Sequence, residues 1–561
     1  MDTETKIREA VSAALLKRGA EDVSFAVEWP ADMAHGDYAV NAAMAAAKEL
    51  GKNPRELAEE LAADMKESLG GIASSVEVAG PGFINIRLSP EAVRKAIDRA
   101  AADGEAWGRG TANAGKRIVI EFSCPNPFKQ MHAGHLMSTV IGEAGSRVPE
   151  NQGARVLRDT YGGDVGPHVA KALWALRRKG TLAPATSQEV DDAYVQGARA
   201  YEESEGAKAE IDALNTALYA ALAKAEDERS ADERSLLETW RHGRAACLDA
   251  DQAVWDALGT RFDYVLHESE TTPIGKEIVQ DALSRGIFTE SEGAVIYEGE
   301  KKGLHTLVFL TSRGNPTYEA KDIGLAFLKE ERMGPLDASY ITTASEQSGH
   351  FAVFLAALED IAPALAKKTA HVPHGFLKLS TGKMSSRDGN VITAAGLIEE
   401  VIAKAREKNE DPLVARAVAV GAIKYMILRQ AAGSDIVFDP EKSLSLDGDS
   451  GPYLQYALVR AKSVIAQAEP ASGADAPAAP YDIERLIIRF PETARIAEAM
   501  RAPHQVTQYL TQLAGEWNSF YAKERIRGGA HEAYKLRVAA AFVRTMENGL
   551  ALLGIPVPEK M

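Results

Sequence analysis

Short apolar runs typical of buried strands recur along the middle of the chain. The first is RIVIEFS, from Arg117 to Ser123, and later ones are GAVIYEG, LHTLVFLTS and ASYITTAS. The first run is followed by the loop CPNPFKQ and then by HAGHLMSTVIGEAGSR, which has the pattern of a helix. Strand, loop and helix in this order open a βαβ unit. We therefore predict a parallel sheet that the later strands resume after an insertion.

The same pattern predicts three domains. Residues 1–112 form a helix-rich α+β unit ending in VEVAGPGFINIRL, in which Pro81-Gly82 supplies a turn. Residues 113–393 form the sheet domain, interrupted at about 172–258 by long, charged, alanine-rich helices. Residues 394–561 are helical except for EPASGADAPAAP (469–480), a low-complexity stretch with nothing to pack.

Composition describes an ordinary globular chain of 561 residues, 45% hydrophobic and 26% charged. Two cysteines cannot build a disulfide framework, and no CxxC pair indicates structural zinc. The N-terminus lacks the features of a signal peptide, and no apolar run is long enough to cross a membrane. We therefore expect a cytoplasmic protein without a membrane partner. The formal charge of -16 leaves RNA binding open, because one basic face is sufficient.

The first candidate for chemistry is His132-Ala133-Gly134-His135, placed where a loop after a strand enters a helix. Backbone N–H groups and the positive helix end favour phosphate at that position. Two imidazoles three residues apart face the same side and can donate to phosphate oxygens, and Gly134 leaves room for a nucleotide base. By itself the motif could also be coincidental, or bind a metal together with Cys124.

The second candidate is Lys383-Met384-Ser385-Ser386-Arg387, followed by Asp388-Gly389-Asn390. A lysine, two hydroxyls and an arginine beside a glycine can hold the β and γ phosphates of ATP as pyrophosphate leaves. A solvated surface turn is the plain alternative for this segment taken alone.

Together, in this order and separated by a helical insertion, HAGH and KMSSR resemble the two signature motifs of class I aminoacyl-tRNA synthetases. The resemblance implies a Rossmann-type nucleotide fold, the use of Mg-ATP and an aminoacyl-adenylate intermediate. It also implies that Lys129, His132, His135, Lys383 and Arg387 are catalytic. The implied ATP-binding residues are Lys129, His132, Gly134, His135, Lys383, Met384, Ser385 and Ser386, and no protein-bound metal is expected.

The arginyl family of that class is the most similar, over nearly the whole chain. SCPNPFKQMHAGHLMSTVIG resembles its first signature, and the resemblance implies that Lys129 compensates for the second lysine of the second motif, which this family often lacks and which is Ser386 here. LRDTYGGDVGPHV departs from the family pattern at Val165 and His168. The N-terminal HGDYAVNAAMAAAKELGKNP resembles the domain that contacts the tRNA elbow, and GPYLQYALVRA resembles the anticodon-binding helices.

The family match implies an arginine site, which consists of Glu121, Ser123, Asn126, His132, Glu268, Tyr318, Asp322 and Gln347. A guanidinium has donors and no acceptor, so a selective pocket needs carboxylates. Tyr318 and Asp322 are four residues apart and share one face of a helix. A buried carboxylate left unpaired by an uncharged rival costs about 3–5 kcal/mol, so no editing domain is needed.

The predicted activity is that of an arginine–tRNA ligase. It would form arginyl-adenylate from L-arginine and ATP and transfer arginine to the 3′ end of tRNA(Arg), with tRNA bound before activation. The resemblance also implies a monomer. Two alternatives remain: a related ligase for another cationic amino acid, and a catalytically inactive tRNA-binding paralogue, which the departures at Val165 and His168 leave open.

Overall fold

The computed structural model describes residues 3–184, 186–380, 393–468 and 475–561. The KMSSR motif, residues 383–387, therefore lies outside the described residues.

The N-terminal unit is a four-stranded antiparallel sheet packed against helices. Its elements are α1 (Thr3–Leu16), β1 (Val27–Glu28), β2 (Tyr38–Val40), α2 (Ala42–Ala46), α3 (Pro54–Ser68), β3 (Ala73–Ala79), β4 (Phe83–Leu88) and α4 (Pro90–Ala102). The strand order is β1-β2-β4-β3. β3 and β4 form the hairpin that the alternation around Pro81-Gly82 predicts, with Ile84 and Ile86 buried on one face. Asn53 and Ser89 cap α3 and α4 by accepting backbone N–H groups.

The central unit is built on a five-stranded parallel sheet and carries the longest described helix, α9 (Ala231–Leu258). Its elements are β5 (Arg117–Glu121), α5 (Ala133–Asn151), β6 (Arg155–Gly162), α6 (Pro167–Lys179), α7 (Ser187–Glu203), α8 (Glu205–Ala223), α9 (Ala231–Leu258), β7 (Tyr264–His267), α10 (Glu268–Ser284), β8 (Thr289–Ser291), β9 (Ala294–Tyr297), β10 (Leu307–Leu310), α11 (Tyr318–Met333), β11 (Ala338–Ala344), α12 (Ser348–Ile361), α13 (Pro363–Ala366), β12 (Thr369–His374) and β13 (Leu377–Leu379).

The parallel sheet has the order β12-β11-β5-β6-β7, with β5 in the middle. From β5 the chain runs outward through β6 to β7, and it then returns to the other side of β5 as β11 and β12. The strand order therefore reverses between β5 and β11. In open parallel sheets ligands bind at the carboxyl ends of the strands at such a reversal.

The prediction that all later strands resume the parallel sheet is wrong for two of them. GAVIYEG and LHTLVFLTS form β9 and β10, and β9 pairs antiparallel with β10 on one side and with β8 on the other in a separate three-stranded sheet. Glu292 and Gly293, both at positive φ, make the tight turn that joins β8 to β9. An apolar run indicates burial but not the direction of its partner strand, so the sequence pattern could not separate the two sheets.

The C-terminal unit is helical, as predicted, except for one short strand. Its elements are α14 (Ala394–Lys408), α15 (Pro412–Leu428), β14 (Ile436–Phe438), α16 (Pro440–Ser443), α17 (Gly451–Ala466), α18 (Asp482–Ile487), α19 (Phe490–Ala499), α20 (His504–Lys523) and α21 (Glu532–Leu552). β14 pairs in parallel with β13 and so connects the C-terminal unit to the central one. Among the described residues, no helix is long and apolar enough to cross a membrane.

Candidate active site

The HAGH motif lies at the start of α5, after a loop with unusual backbone conformations. Ser123, Cys124 and Phe128 have φ values of 71°, 50° and 71°, which non-glycine residues rarely adopt. Two side chains of α9 hold this loop: Trp255 Nε1 donates to Ser123 Oγ at 3.0 Å, and Cys247 Sγ accepts the Phe128 N–H at 3.2 Å. The inserted helices thus fix the backbone in front of the motif, in agreement with the rule that strained loops persist where the surroundings hold them.

The two histidines of the motif cap α5 with their own rings. His132 Nδ1 accepts the Gly134 N–H at 3.0 Å, and His135 Nδ1 accepts the His132 N–H at 3.2 Å. The rings stack with centroids 3.9 Å apart. Because Nδ1 accepts in both rings, the ring hydrogen of each neutral imidazole lies on Nε2. Both histidines therefore present Nε2–H donors at the positive end of a helix, a suitable arrangement for phosphate oxygens.

The environment keeps both rings neutral near pH 7. Burial, together with Lys129, lowers the pKa of His132, and burial with His132 and Lys129 lowers the pKa of His135 well below its usual value. The partly buried Lys129 has its Nζ 4.9 Å from the ring centroid of Tyr194, on α7. No ion pair of Lys129 occurs among the described residues, so its charge is available to a ligand beside the histidines.

Gly134 makes room for the capping ring. A Cβ at this position would lie 2.8 Å from His132 Cε1 and 3.0 Å from His132 Nδ1. The sequence predicts that Gly134 gives a nucleotide base access to the backbone. The structure adds a second reason for a glycine, because a Cβ here would collide with the His132 ring.

Thr393, the first described residue after the second motif, lies beside the histidine motif. Thr393 forms an antiparallel bridge with His132, and the Ala394 N–H donates to Met131 O at 2.8 Å. The segment that carries Lys383, Met384, Ser385, Ser386 and Arg387 therefore rejoins the described chain beside the histidine motif.

A cluster of charged side chains lies on the other side of the loop, and it contains three of the predicted arginine-binding carboxylates. Glu121, at the end of β5, is buried and accepts from Lys329 Nζ at 2.5 Å. Lys329 Nζ is also 2.9 Å from Asp159 Oδ2 on β6. Glu268, the first residue of α10, accepts from Lys321 Nζ at 2.6 Å, and both side chains are buried. Burial opposes the charge of each lysine, but the neighbouring carboxylates raise the pKa of both.

Asp322 is the third carboxylate, and its partner is a histidine. His350 Nε2 lies 2.6 Å from Asp322 Oδ2, while His350 Nδ1 lies 3.3 Å from Glu319 Oε1. Burial opposes the charge of the ring, but these two hydrogen bonds raise the pKa of His350 to about 10. His350 is thus an imidazolium at neutral pH.

Asp164 anchors the start of α10. Its carboxylate accepts the Ser269 N–H at 2.8 Å and the Ser269 hydroxyl at 2.7 Å, and it pairs with Arg244 of α9 at 2.8 Å. These contacts fix the position of Glu268 relative to the sheet.

The remaining predicted arginine-binding residues differ in their burial and in their contacts. Asn126 Oδ1 accepts the Gly163 N–H at 3.0 Å. Ser123 Oγ is buried and accepts from Thr139 as well as from Trp255. Tyr318, the first residue of α11, is 61% exposed, with the Lys321 Nζ 5.2 Å from its ring centroid. Gln347 is exposed immediately before α12, at the carboxyl end of β11.

The two residues that depart from the family pattern are both placed by their neighbours in the loop and the inserted helices. Val165 is buried in an apolar cluster with Phe128 and Trp240. His168 Nε2 donates to Gly163 O at 2.8 Å, and burial, together with Lys129, lowers the pKa of His168 to about 4. Val165 thus has apolar neighbours and His168 a hydrogen-bond partner.

Several members of the cluster were missed from sequence: Asp159, Asp164, Arg244, Glu319, Lys321, Lys329 and His350. A signal was present for two of them. Lys321 and Lys329 have the helical spacing that places them on the same side of α11 as Tyr318, Asp322 and Leu325. A lysine that is buried on that side needs a partner of opposite charge. No group of three or more His, Cys, Asp or Glu within the described residues is arranged to hold a metal ion.

The fold and the site define a class. A Rossmann-type parallel sheet with HAGH at the start of the helix after its central strand, followed by a helical C-terminal domain, is the organisation of a class I aminoacyl-tRNA synthetase. The predicted fold class is therefore confirmed.

Comparisons with known proteins identify the family. Residues 99–440 match the catalytic domain of class I tRNA synthetases (R), residues 2–88 the arginyl-tRNA synthetase N-terminal domain, and residues 454–561 the DALR anticodon-binding domain. The chain belongs to the arginyl-tRNA synthetases, the arginine–tRNA ligases, which use ATP.

Individual relatives agree with the family models. The arginine–tRNA ligase of Chromobacterium violaceum is 32% identical, with 99% of both chains covered. That of Escherichia coli is 31% identical, with 100% of both chains covered. The solved Thermus thermophilus arginyl-tRNA synthetase superposes with a TM-score of 0.81 at 27% identity, covering 100% of both chains.

Proposed function

We propose that this chain activates L-arginine at the reversal point of the parallel sheet, with the carboxylate cluster binding arginine and the HAGH histidines binding Mg-ATP. The observation that carries this proposal is the charge balance of the cluster. Its six carboxylates are Glu121, Asp159, Asp164, Glu268, Glu319 and Asp322, and its four cations are Arg244, Lys321, Lys329 and His350. The cluster lacks two positive charges. This excess of carboxylates over cations favours a ligand with a cationic side chain, such as arginine, over a neutral amino acid.

ATP binding is assigned to the histidine side of the loop. The Nε2–H groups of His132 and His135 donate to phosphate oxygens, and Lys129 adds a charge beside them. Mg²⁺ enters as Mg-ATP. Lys383 and Arg387 neutralise the departing pyrophosphate, with Met384, Ser385 and Ser386 completing the loop. This assignment is supported by the return of the chain at Thr393 to His132.

The reaction then proceeds in two steps. A carboxylate oxygen of arginine attacks the α-phosphorus of ATP, the bond to the bridging oxygen breaks, and pyrophosphate leaves. The terminal ribose hydroxyl of tRNA(Arg) then attacks the carbonyl carbon of the adenylate and displaces AMP. The neutral histidine donors favour the first step because they are already oriented towards the phosphate oxygens, and the charge of Lys129 beside them adds to this effect.

The decisive experiment is ATP–pyrophosphate exchange with each of the twenty amino acids, with and without total tRNA. We expect exchange with arginine alone and only when tRNA is present. Exchange with another amino acid would overturn the assignment of the carboxylate cluster. An absence of exchange under every condition would favour the inactive paralogue. We further propose that the protein acts as a monomer in the cytoplasm, and sedimentation of the purified protein tests the first part.

The second motif can be tested separately. Lys383→Ala is expected to lower the exchange rate about tenfold or more, since a charge on the leaving pyrophosphate is lost. Lys378→Ala is the matched control, because this nearby lysine pairs with Asp435 on the surface. Equal rates in the two variants would remove Lys383 from the mechanism.

A further inference from the structure

The partner of Asp322 bears directly on how arginine is selected. The predicted guanidinium-binding carboxylate is not free: the His350 imidazole lies on it at 2.6 Å and extends its other nitrogen to Glu319 at 3.3 Å. A carboxylate accepts hydrogen bonds and has none to donate when ionised. Both ring nitrogens face such oxygens, so the imidazolium, which carries a hydrogen on each nitrogen, can donate to both carboxylates.

We propose that His350 is a specificity-determining residue that holds the place of the substrate guanidinium on Asp322, and that arginine binding releases the His350 proton. This inference rests on the proposed arginine site. The pair is open to a ligand, because the side chains of His350, Asp322 and Glu319 are 22%, 16% and 14% exposed.

Among the groups around His350, two carboxylates stabilise its proton. On α11 these are Glu319 and Asp322, and burial, together with the charge of Glu121 of β5, raises the pKa of Asp322. His371 of β12 is also close, and burial with the neighbouring His374 and His350 lowers the pKa of His371 to about 4, so it is neutral at pH 7 and contributes no charge.

The remaining charged groups on neighbouring elements are already engaged elsewhere. Glu346, in the turn before α12, acts on His374. Lys302, from the turn at Gly299–Lys302, pairs with Glu359 and Asp360 at the far end of α12. Glu319 and Asp322 thus remain as the groups that hold the His350 proton among the described residues.

The position of His350 on its helix makes the charge easy to lose. It is the third residue of α12, where the positive end of the helix disfavours a cation. Phe351, the next residue, contacts it edge-on at 5.0 Å and stacks on His371 at 4.3 Å. When a guanidinium takes Asp322, the imidazole loses a hydrogen-bond acceptor and gains a positive neighbour. Both changes lower the pKa of His350, and the proton leaves.

This exchange explains selectivity in physical terms. A guanidinium replaces one cation on Asp322 by another, so the buried carboxylate is never left unpaired. A neutral amino acid cannot displace the imidazolium without exposing an unpaired buried charge. His350 therefore keeps the carboxylate occupied until the correct side chain arrives.

Calorimetric titration of the intact protein with L-arginine tests the proposal. Titrations at pH 7.5 in phosphate and in Tris, whose ionisation enthalpies differ, give the number of protons exchanged. We expect release of about one proton per arginine bound, because His350 is charged before binding and neutral after it. His350→Gln, which can still donate to Asp322, should release none. His371→Gln, the matched control, should release as many as the native protein.

A second measurement uses the native protein alone. Between pH 7 and 8.5 the Kd for arginine should fall about tenfold per pH unit, since deprotonation of His350 then favours binding. A pH-independent Kd, or arginine binding without proton release, would overturn the role of His350 and leave the arginine site standing. Failure of the native protein to bind arginine at all would instead overturn the proposed function.

Discussion

At the scale of single residues, the site depends on buried charges that are paired in advance. Lys329 joins Glu121 to Asp159, Lys321 neutralises Glu268, and His350 covers Asp322. Removing one member of a buried pair leaves the other uncompensated, which is costly. Single substitutions here should therefore have large effects.

Asp322→Asn should mainly weaken arginine binding, because the amide cannot balance the guanidinium charge. With about 3–5 kcal/mol at stake, the KM for arginine should rise roughly a hundredfold or more, and kcat should fall less. Steady-state aminoacylation at varied arginine concentration measures both. Glu330→Gln is the control, since Glu330 lies on the same helix but pairs with Lys368. A KM equal to that of the control would place the guanidinium elsewhere.

Lys424 offers a residue-scale prediction outside the site. This lysine of α15 is fully buried, donates to Gly554 O at 2.6 Å, and burial lowers its pKa to about 7. The unfolded chain binds a proton at this lysine up to its ordinary pKa of about 10.4, while the native protein does not above about 7. Stability should therefore rise with pH over that range.

Lys424→Met should remove this rise and raise the Tm at pH 7, because no charge needs to be buried. Thermal unfolding at pH 7, 8 and 9 checks it. The measured quantity is the Tm of the native protein compared with that of the variant. If this difference stayed the same or fell between pH 7 and pH 9, it would contradict the lowered pKa of Lys424.

At the scale of elements, α5 carries chemistry at its first turn and structure along its length. The capping rings of His132 and His135 form the phosphate-binding end, while the body of the helix is buried against the sheet and the C-terminal helices. The first turn of α5 therefore serves ligand binding, whereas the rest of the helix serves packing. Substitutions of two glycines on this helix can separate these two roles.

Gly134→Ala should disturb the cap, because its Cβ would lie 2.8 Å from the His132 ring. We expect the rate of arginine-dependent pyrophosphate exchange to fall about tenfold or more as the Nε2 donors move. Gly145→Ala on the same helix is the control, since a Cβ there meets nothing within 4 Å. That change should keep the rate and stabilise the helix by about 1 kcal/mol. Equal rates for both variants would show that the ring position does not matter.

At the scale of the whole molecule, the N-terminal unit docks on the C-terminal helices through polar contacts. Trp29 Nε1 and Tyr38 OH donate to Glu492 at 2.8 and 2.5 Å, and Arg485 pairs with the buried Asp37. The first and last domains of the sequence therefore hold each other, in addition to their links to the sheet.

Asp37→Ala should weaken this docking, because Arg485 is left buried without its partner. Breaking a buried pair costs about 3–5 kcal/mol. Limited proteolysis should then release the N-terminal unit earlier than in the native protein. Asp103→Ala, at the exposed end of α4, removes only a surface pair with Arg99 and is the control. Equal cleavage of both variants would show that the Asp37 pair does not hold the domains together.

The sequence determined the elements and the family. Apolar runs of strand length, the helical periodicity of the insertion, and the HAGH and KMSSR motifs are local properties, so they can be read without coordinates. They predicted the parallel sheet, the helical C-terminal domain and the residues at the ends of the strands.

Only the tertiary structure decided how distant segments pair. It separated β8, β9 and β10 into their own sheet, and it brought His350, Lys321 and Lys329 onto the carboxylates. Which cation neutralises which carboxylate depends on a few ångströms between segments far apart in the chain. Coulomb interactions and burial act over distances in space, and spacing along the chain does not encode them.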